Sequence, residues 1–279
     1  MLLQLCWVWF LLTACWGSDD LDQAQLALEN HDLATAERGF RATLNRSPQS
    51  TKAMEGLGWT YHLSGQREAA ITAFDNCLVV DPSQAGCLRG RASTALAIGD
   101  IPKAKNLLDR AVKAAPGDPE VDSSVAIFRM SEGRIDEALE LYQSLSRRFP
   151  TKASYIVGYA EALLRSNRPA DARTEIERAL QQENIPVRHQ AMLWLLRARA
   201  LTLQSGSVID FECTDSVAVA SISRWIYEAQ RSVEQAASTG VKIPETAVLA
   251  RQIERGQRIV IERCPEVAQT LAALGSADQ

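Results

Sequence analysis

The chain has 279 residues; its hydrophobic share of 46% suffices for a packed core, and a charged share of 23% excludes a chain disordered throughout. A formal net charge of -4 argues against a large nucleic-acid footprint, which needs a basic stripe. Beyond the N-terminus no segment reaches the ~18 apolar residues of a membrane-spanning helix.

The apolar run from Met1 to Trp16 is broken only by Gln4 and Thr13. It is too short to span a bilayer comfortably and reads as a secretion signal, residues 1–14, outside the fold. The end of the run, Leu12-Thr13-Ala14-Cys15, resembles the lipobox of bacterial lipoproteins. That resemblance implies cleavage before Cys15, a lipid on its thiol and a membrane anchor. The leader carries no Lys or Arg, and an ordinary signal cut near Gly17 is the alternative. Trp16 in place of an aspartate points to an outer-membrane location facing the periplasm.

From Ser18 onward a proline recurs every 34 residues, at Pro48, Pro82, Pro116 and Pro150, and a fixed period in that range marks a stacked repeat array. The slots twelve and eight residues before each proline hold Ala36 and Phe40, Ala70 and Phe74, Ala104 and Leu108, Ala138 and Tyr142. The small residue lets two helices approach closely, and the bulky one on the same face fills the gap. The proline is expected to end one helix and to begin the next. Gly65, Gly99 and Gly133 fall in the short turns inside three successive units, where a left-handed residue caps a helix. Asp118-Pro119 reads as an N-cap followed by proline at the first helical position. The first unit is degenerate in its first helix, whereas Thr51–Pro82 is the best formed, with Leu57, Gly58 and Tyr61 in its first helix. A fifth unit continues with Ala172, Ile176 and Ala179. Its proline slot holds Asn184, Pro186 arrives late, and the array loosens.

This pattern resembles the tetratricopeptide repeat family. The resemblance implies an all-α, right-handed solenoid of about six helix–turn–helix repeats closed by C-terminal capping helices. Repeats one to five occupy residues 15–186, and a degenerate sixth with an insertion occupies 187–243. Trp194, Ala198 and Leu201 fit its first helix; Ala229, Val233 and Ala236 fit its second. Of the insertion between them Gly206–Asp215 is the least helical part, and the remainder, through Ser223, is expected to extend the second helix backwards. The cap, 244–279, opens with a long helix whose stripe is Leu249, Ile253, Gly256 and Val260. Cys264, Val267 and Leu271 continue that stripe past Pro265.

Cys6 falls in the signal and Cys15 in the lipid site, which leaves four cysteines for an oxidising compartment to pair. A bridge between Cys213 in the insertion and Cys264 on the cap would tie the two together and stabilise by ~4 kcal/mol. Cys77 and Cys87 face each other across a turn and either bridge or serve as small buried apolar residues.

Catalytic chemistry is weakly supported. His31, His62 and His189 fall in three different units, no His/Cys/acid spacing suggests a metal site, and no cofactor is implied. Neither a G-x-S-x-G elbow nor a phosphate-binding glycine loop occurs. Asp210, Glu212 and Asp215 around Cys213 lack the ordered pattern of a calcium loop and read as a polar, disulfide-tied loop.

In the family that the repeats resemble, the first helices of successive units line a concave groove that takes an extended peptide or a helix from a partner. Helical spacing assigns to it Glu55, Trp59 and His62, then Arg89 and Ser93, Ser123 and Ile127, and Glu161. Trp59 is an aromatic beyond the structural slots and is either a binding anchor or packed against a neighbouring helix. Gly56, Gly90 and Gly158 either leave room on the groove floor or allow close helix packing. Those slots hold no asparagine and only Lys52 as a lysine near their start, unlike relatives that grip a terminal carboxylate. The expected function is that of a membrane-anchored, non-enzymatic adaptor for a protein partner in envelope or pilus assembly, similar in layout to pilus secretin pilotins. The alternative makes the insertion and cap a ligand-binding or enzymatic module carried on a spacer array.

Overall fold

A computed structural model describes residues 20–206, 213 and 215–277. The described residues are all-α, as the repeat period predicts, with no strand among them. Two compact units divide them, one ending at Glu132 and the other beginning at Gly133. The signal, Cys15 and residues 207–212 and 214 of the insertion lie outside the described residues, and no helix among the described residues is long and apolar enough to cross a membrane.

The first unit holds α1 (20–29), α2 (Leu33–Arg46), α3 (Thr51–Leu63), α4 (Arg67–Val80), α5 (Ala85–Ala97), α6 (Ile101–Ala114) and α7 (Pro119–Ser131). Helices α3 and α4, like α5 and α6, pack as pairs, and α3 packs on α5 and α5 on α7. The alanine slots Ala36, Ala70 and Ala104 are fully buried, as are Phe40 and Phe74. Each ring needs a facing residue without a side chain. A Cβ on Gly56 would lie 2.3 Å from the Phe40 ring, one on Gly58 2.5 Å from Phe74, and one on Gly90 2.3 Å from Phe74. These glycines therefore serve close packing of the helices.

The turns obey the period more fully than glycine alone reveals. His31, Gly65, Gly99, Gly133 and Asn167 stand 34 residues apart and all have positive φ, between 58° and 82°. Asparagine and histidine tolerate the left-handed region better than most side chains. The prolines end helices but do not begin the next ones. Pro48, Pro82, Pro116 and Pro150 sit in turns, and the following helices start at Thr51, Ala85, Pro119 and Ala153. Side chains start them instead: Ser50 caps α3, and Asp118 Oδ1 accepts from Glu120 N and Val121 N at 3.0 and 2.9 Å, with Pro119 in the first turn of α7.

The second unit holds α8 (Ile135–Arg148), α9 (Ala153–Arg165), α10 (Pro169–Leu180), α11 (Val187–Gly206), α12 (Ser216–Ser238), α13 (Pro244–Arg263) and α14 (Glu266–Ala277). The pairing rule repeats, with a Gly158 Cβ position 2.2 Å from the Tyr142 ring. Helices α11 and α12 form the sixth pair through Ala198, Leu201, Ala229, Val233 and Ala236, to which Leu249 and Ile253 of α13 add. Arg197 ties the pair, with Nη2 2.8 Å from Glu228 Oε2 and Nη1 donating to Ser232 Oγ at 2.8 Å. Helix α12 does extend backwards, to Ser216, where Asp215 caps it by accepting from Val217 N and Ala218 N.

One position departs from the expected stripe of α13. Gly256 is exposed and no atom comes near its Cβ position. The reason is that α13 serves two clusters. Leu249 and Ile253 join the sixth pair, whereas Val260, Ile261 and Cys264 join Val219, Ile222, Val267 and Leu271 beneath α14. Gly256 falls between them.

Candidate functional site

The first helices of the first unit bring one set of polar and aromatic side chains together. Glu55 on α3 lies 3.2 Å from Arg89 Nη2 on α5, and its other oxygen accepts from Gln84 Nε2 at 3.1 Å. Arg89 in turn stands 3.8 Å from Glu120 Oε2 on α7, and its guanidinium carbon lies 4.8 Å above the Trp59 ring. Glu55 and Arg89 are only 20% and 18% exposed, which strengthens the pair relative to a surface ion pair. Their geometry depends on Gly86, where a Cβ would fall 2.2 Å from Glu55 Oε1.

Trp59 is held on three sides. It meets Phe74 and His62 edge-on at 5.7 and 5.5 Å between ring centroids, and it takes the Arg89 cation on its face. His62 Nδ1 lies 3.2 Å from Thr94 Oγ1. The indole Nε1–H is buried with no acceptor among the described residues. The tryptophan is thus part of the packing and also borders open space.

That space is a cavity of about 330 Å³, lined by Leu21, Asp22, Gln25 and Leu28 of α1, Lys52, Glu55, Gly56 and Trp59 of α3, and Arg89 of α5. Three of the residues assigned to the groove, Glu55, Trp59 and Arg89, line it. His62 stands behind Trp59, and Ser93, Ser123 and the 44% exposed Ile127 lie further along α5 and α7, outside the lining. Glu161 belongs to the second unit, where Arg165 Nε and Arg199 Nη1 donate to its two oxygens at 2.8 and 2.6 Å. The α1 side chains escaped the sequence reading because α1 has neither the aromatic nor the glycine of the first helices that follow it. The period holds the missing signal: Leu21, Gln25 and Leu28 stand 34 residues before Glu55, Trp59 and His62.

The second unit carries a separate depression of about 500 Å³ among α8, α9 and α10, bordered by Arg147, Tyr159 and Arg178. Gln143 Nε2 donates to Tyr159 Oη at 3.2 Å across it. Nothing in the sequence singles it out.

Of the two uses that the sequence left open for Cys77 and Cys87, the structure shows the bridge. Cys77 and Cys87 are joined as a disulfide, with Cα atoms 6.3 Å apart, and both are fully buried between α4 and α5. Cys213 and Cys264, between which the sequence suggests a second bridge, stand as separate thiols in this structure. They are nevertheless neighbours, because α12 and α14 pack together beside the end of α13. Cys213 Sγ donates to Arg263 O at 3.3 Å and Cys264 Sγ to Glu266 Oε2 at 3.6 Å. Burial, reinforced by Cys213 and Glu266, pushes the Cys264 thiol up to about 12. These two sulfurs and the Glu266 carboxylate lie within 4.8 Å of one another, a group no sequence spacing announces.

A tetratricopeptide repeat family model matches residues 61–127 and 129–198, and a second tetratricopeptide repeat model matches 21–85. Among curated proteins, cellulose synthase operon protein C of Pseudomonas fluorescens (strain SBW25) is 29% identical over 119 residues, 43% of this chain and 9% of that protein. The chain therefore spans a small fraction of that relative. Among solved structures, a tetratricopeptide repeat protein from Parabacteroides merdae ATCC 43184 has a TM-score of 0.61 at 16% identity, covering 85% of this chain and 84% of its own. The thermophilic protein TTC0263 of Thermus thermophilus has a TM-score of 0.57 at 17% identity, covering 67% and 98%. Pseudomonas aeruginosa pilF has a TM-score of 0.53 at 18% identity, covering 84% and 91%. At these identities the likeness is one of fold.

Proposed function

We propose an adaptor role for this chain, which belongs to the tetratricopeptide repeat family. It holds an extended peptide or a helix of a partner protein against the first helices of its first unit. It does so without catalysis, exported to the cell envelope and anchored through a lipid on Cys15, on the periplasmic side of the outer membrane. Envelope or pilus assembly is the process that the layout suggests.

The observation that carries this reading is the cavity between α1, α3 and α5. Its walls combine apolar side chains (Leu21, Leu28, Trp59) with charges of both signs (Asp22, Lys52, Glu55, Arg89). A groove that takes a peptide needs both: apolar pockets for anchoring side chains and polar groups for the main chain. Its aromatic and its arginine are held rigid by Phe74, Glu55 and Glu120, which lowers the ordering cost of binding.

The test is site-specific photocrosslinking in cell envelopes, with the reactive group at Gln25 or at Lys52. Capture of one defined protein from both positions, weakened by Arg89→Glu, is the expected result. Capture only from a group placed at Asp215, with none from α1 or α3, would move the function to the insertion and cap. Mass spectrometry of the mature N-terminus tests the anchor, since an unacylated Cys15 in an uncleaved chain excludes it.

A further inference from the structure

Cys213 and Cys264 come from distant parts of the second unit. Cys213 sits just ahead of the Asp215 cap of α12 and is half-buried; Cys264 ends α13 and is fully buried beneath Val219, Ile222 and Val267. The backbone N of Cys264 donates to Val260 O at 2.8 Å, so the helix end itself fixes this residue. Cys213 is fixed from the other side by its bond to Arg263 O. The two sulfurs lie within 4.8 Å of one another. The same chain carries a disulfide at Cys77–Cys87, and disulfides persist in oxidising compartments.

From this juxtaposition we propose that Cys213 and Cys264 are oxidised to a second disulfide, which fastens the insertion to the junction of the two C-terminal helices. The oxidant is a disulfide of the thiol-oxidoreductase or glutathione class. The more accessible Cys213 thiolate attacks one sulfur of that disulfide, forms a mixed disulfide and releases one carrier thiol. The Cys264 sulfur then attacks the Cys213 sulfur, gives its proton to solvent and expels the second carrier thiol. Two protein thiols are oxidised and one carrier disulfide is reduced to two thiols, so atoms and electrons balance.

The rival use of these atoms is a metal site with Glu266 as third ligand. Cys264 is enclosed by apolar side chains, which favour a neutral sulfur over a metal-binding thiolate, and this favours the bridge.

The full chain, purified from an oxidising compartment without reductant, is alkylated with iodoacetamide in denaturant, digested without reduction and read by mass spectrometry. The expected result is a peptide containing Cys213 joined to one containing Cys264, neither alkylated, alongside the Cys77–Cys87 pair. Alkylation of both Cys213 and Cys264 while Cys77–Cys87 stays joined would overturn the proposal. So would joining of either cysteine to Cys77 or Cys87. A metal site is the remaining outcome and also overturns it: in native alkylation the two thiols would then be protected with zinc and become reactive with a chelator alone. A Cys213→Ser chain should lose the joined peptide and leave Cys264 alkylated once denatured.

Discussion

Two glycines in helices carry opposite consequences. At Gly90 an added Cβ meets the Phe74 ring at 2.3 Å, and that ring is fully buried and cannot retreat. At Gly256 an added Cβ meets nothing within 4 Å. Alanine gains up to ~1 kcal/mol of helix propensity at either site, but overpacking costs about 1–3 kcal/mol at the first. Gly90→Ala should therefore lower stability by up to about 2 kcal/mol, and Gly256→Ala should raise it by about 0.5–1 kcal/mol. Urea-unfolding midpoints of the two variants decide this, and a stabilising Gly90→Ala would contradict the packing described. Cys264 gives a pH signature in the reduced protein. Its thiol is raised from its ordinary value of 9.0 to about 12, so folding favours the protonated form. The stability it contributes is complete below pH 9 and is lost as pH rises from 9 towards 12. Under reductant, wild type should lose stability in that window relative to Cys264→Ala; parallel curves would rule the effect out.

Between elements, the strongest local tie is the bridge from α4 to α5. It closes a separation of 10 residues, for which loop entropy alone supplies about 3 kcal/mol. Replacing both cysteines by alanine should lower the unfolding free energy by about 2–3 kcal/mol in the absence of reductant. Adding dithiothreitol should remove most of the difference from wild type; a difference that survives reduction would mean that packing, not the cross-link, is responsible. The bridge joins the second helix of one pair to the first helix of the next, the helix that carries Arg89. Its removal should thus loosen the wall of the cavity as well as the stack.

For the molecule as a whole, an array in which each helix contacts only near neighbours has stability that varies along its length. Helix α9 buries most of its residues, from Ala153 to Leu164, whereas α13 buries only Leu249 and Ile253. Amide hydrogen exchange should be at least tenfold slower in α9 than in the middle of α13. Uniform protection across the two would indicate a single cooperative block. Much of this organisation can be read from the residues, because the alanine and aromatic slots, the left-handed turns and the Asp118 cap are local requirements that recur every 34 residues. The first helix of the first unit was harder to see. His31 replaces the turn glycine and Leu21, Gln25 and Leu28 replace the expected signature, although backbone and position are unchanged.

The sequence by itself determined the repeat period, the all-α class and the buried alanine and aromatic slots of the repeat helices, since each depends on side chains only one or two turns apart. Only the tertiary structure decided which distant residues meet. It placed α1 opposite Trp59 to enclose the cavity, set Glu55 between Gly86 and Arg89, joined Cys77 to Cys87, and brought Cys213 to Cys264 through the packing of α12 on α14. The physical reason is that a helical period specifies a direction around an axis but not the distance to a neighbour. That distance is set by how deeply Phe40, Phe74 and Tyr142 sink onto their facing glycines.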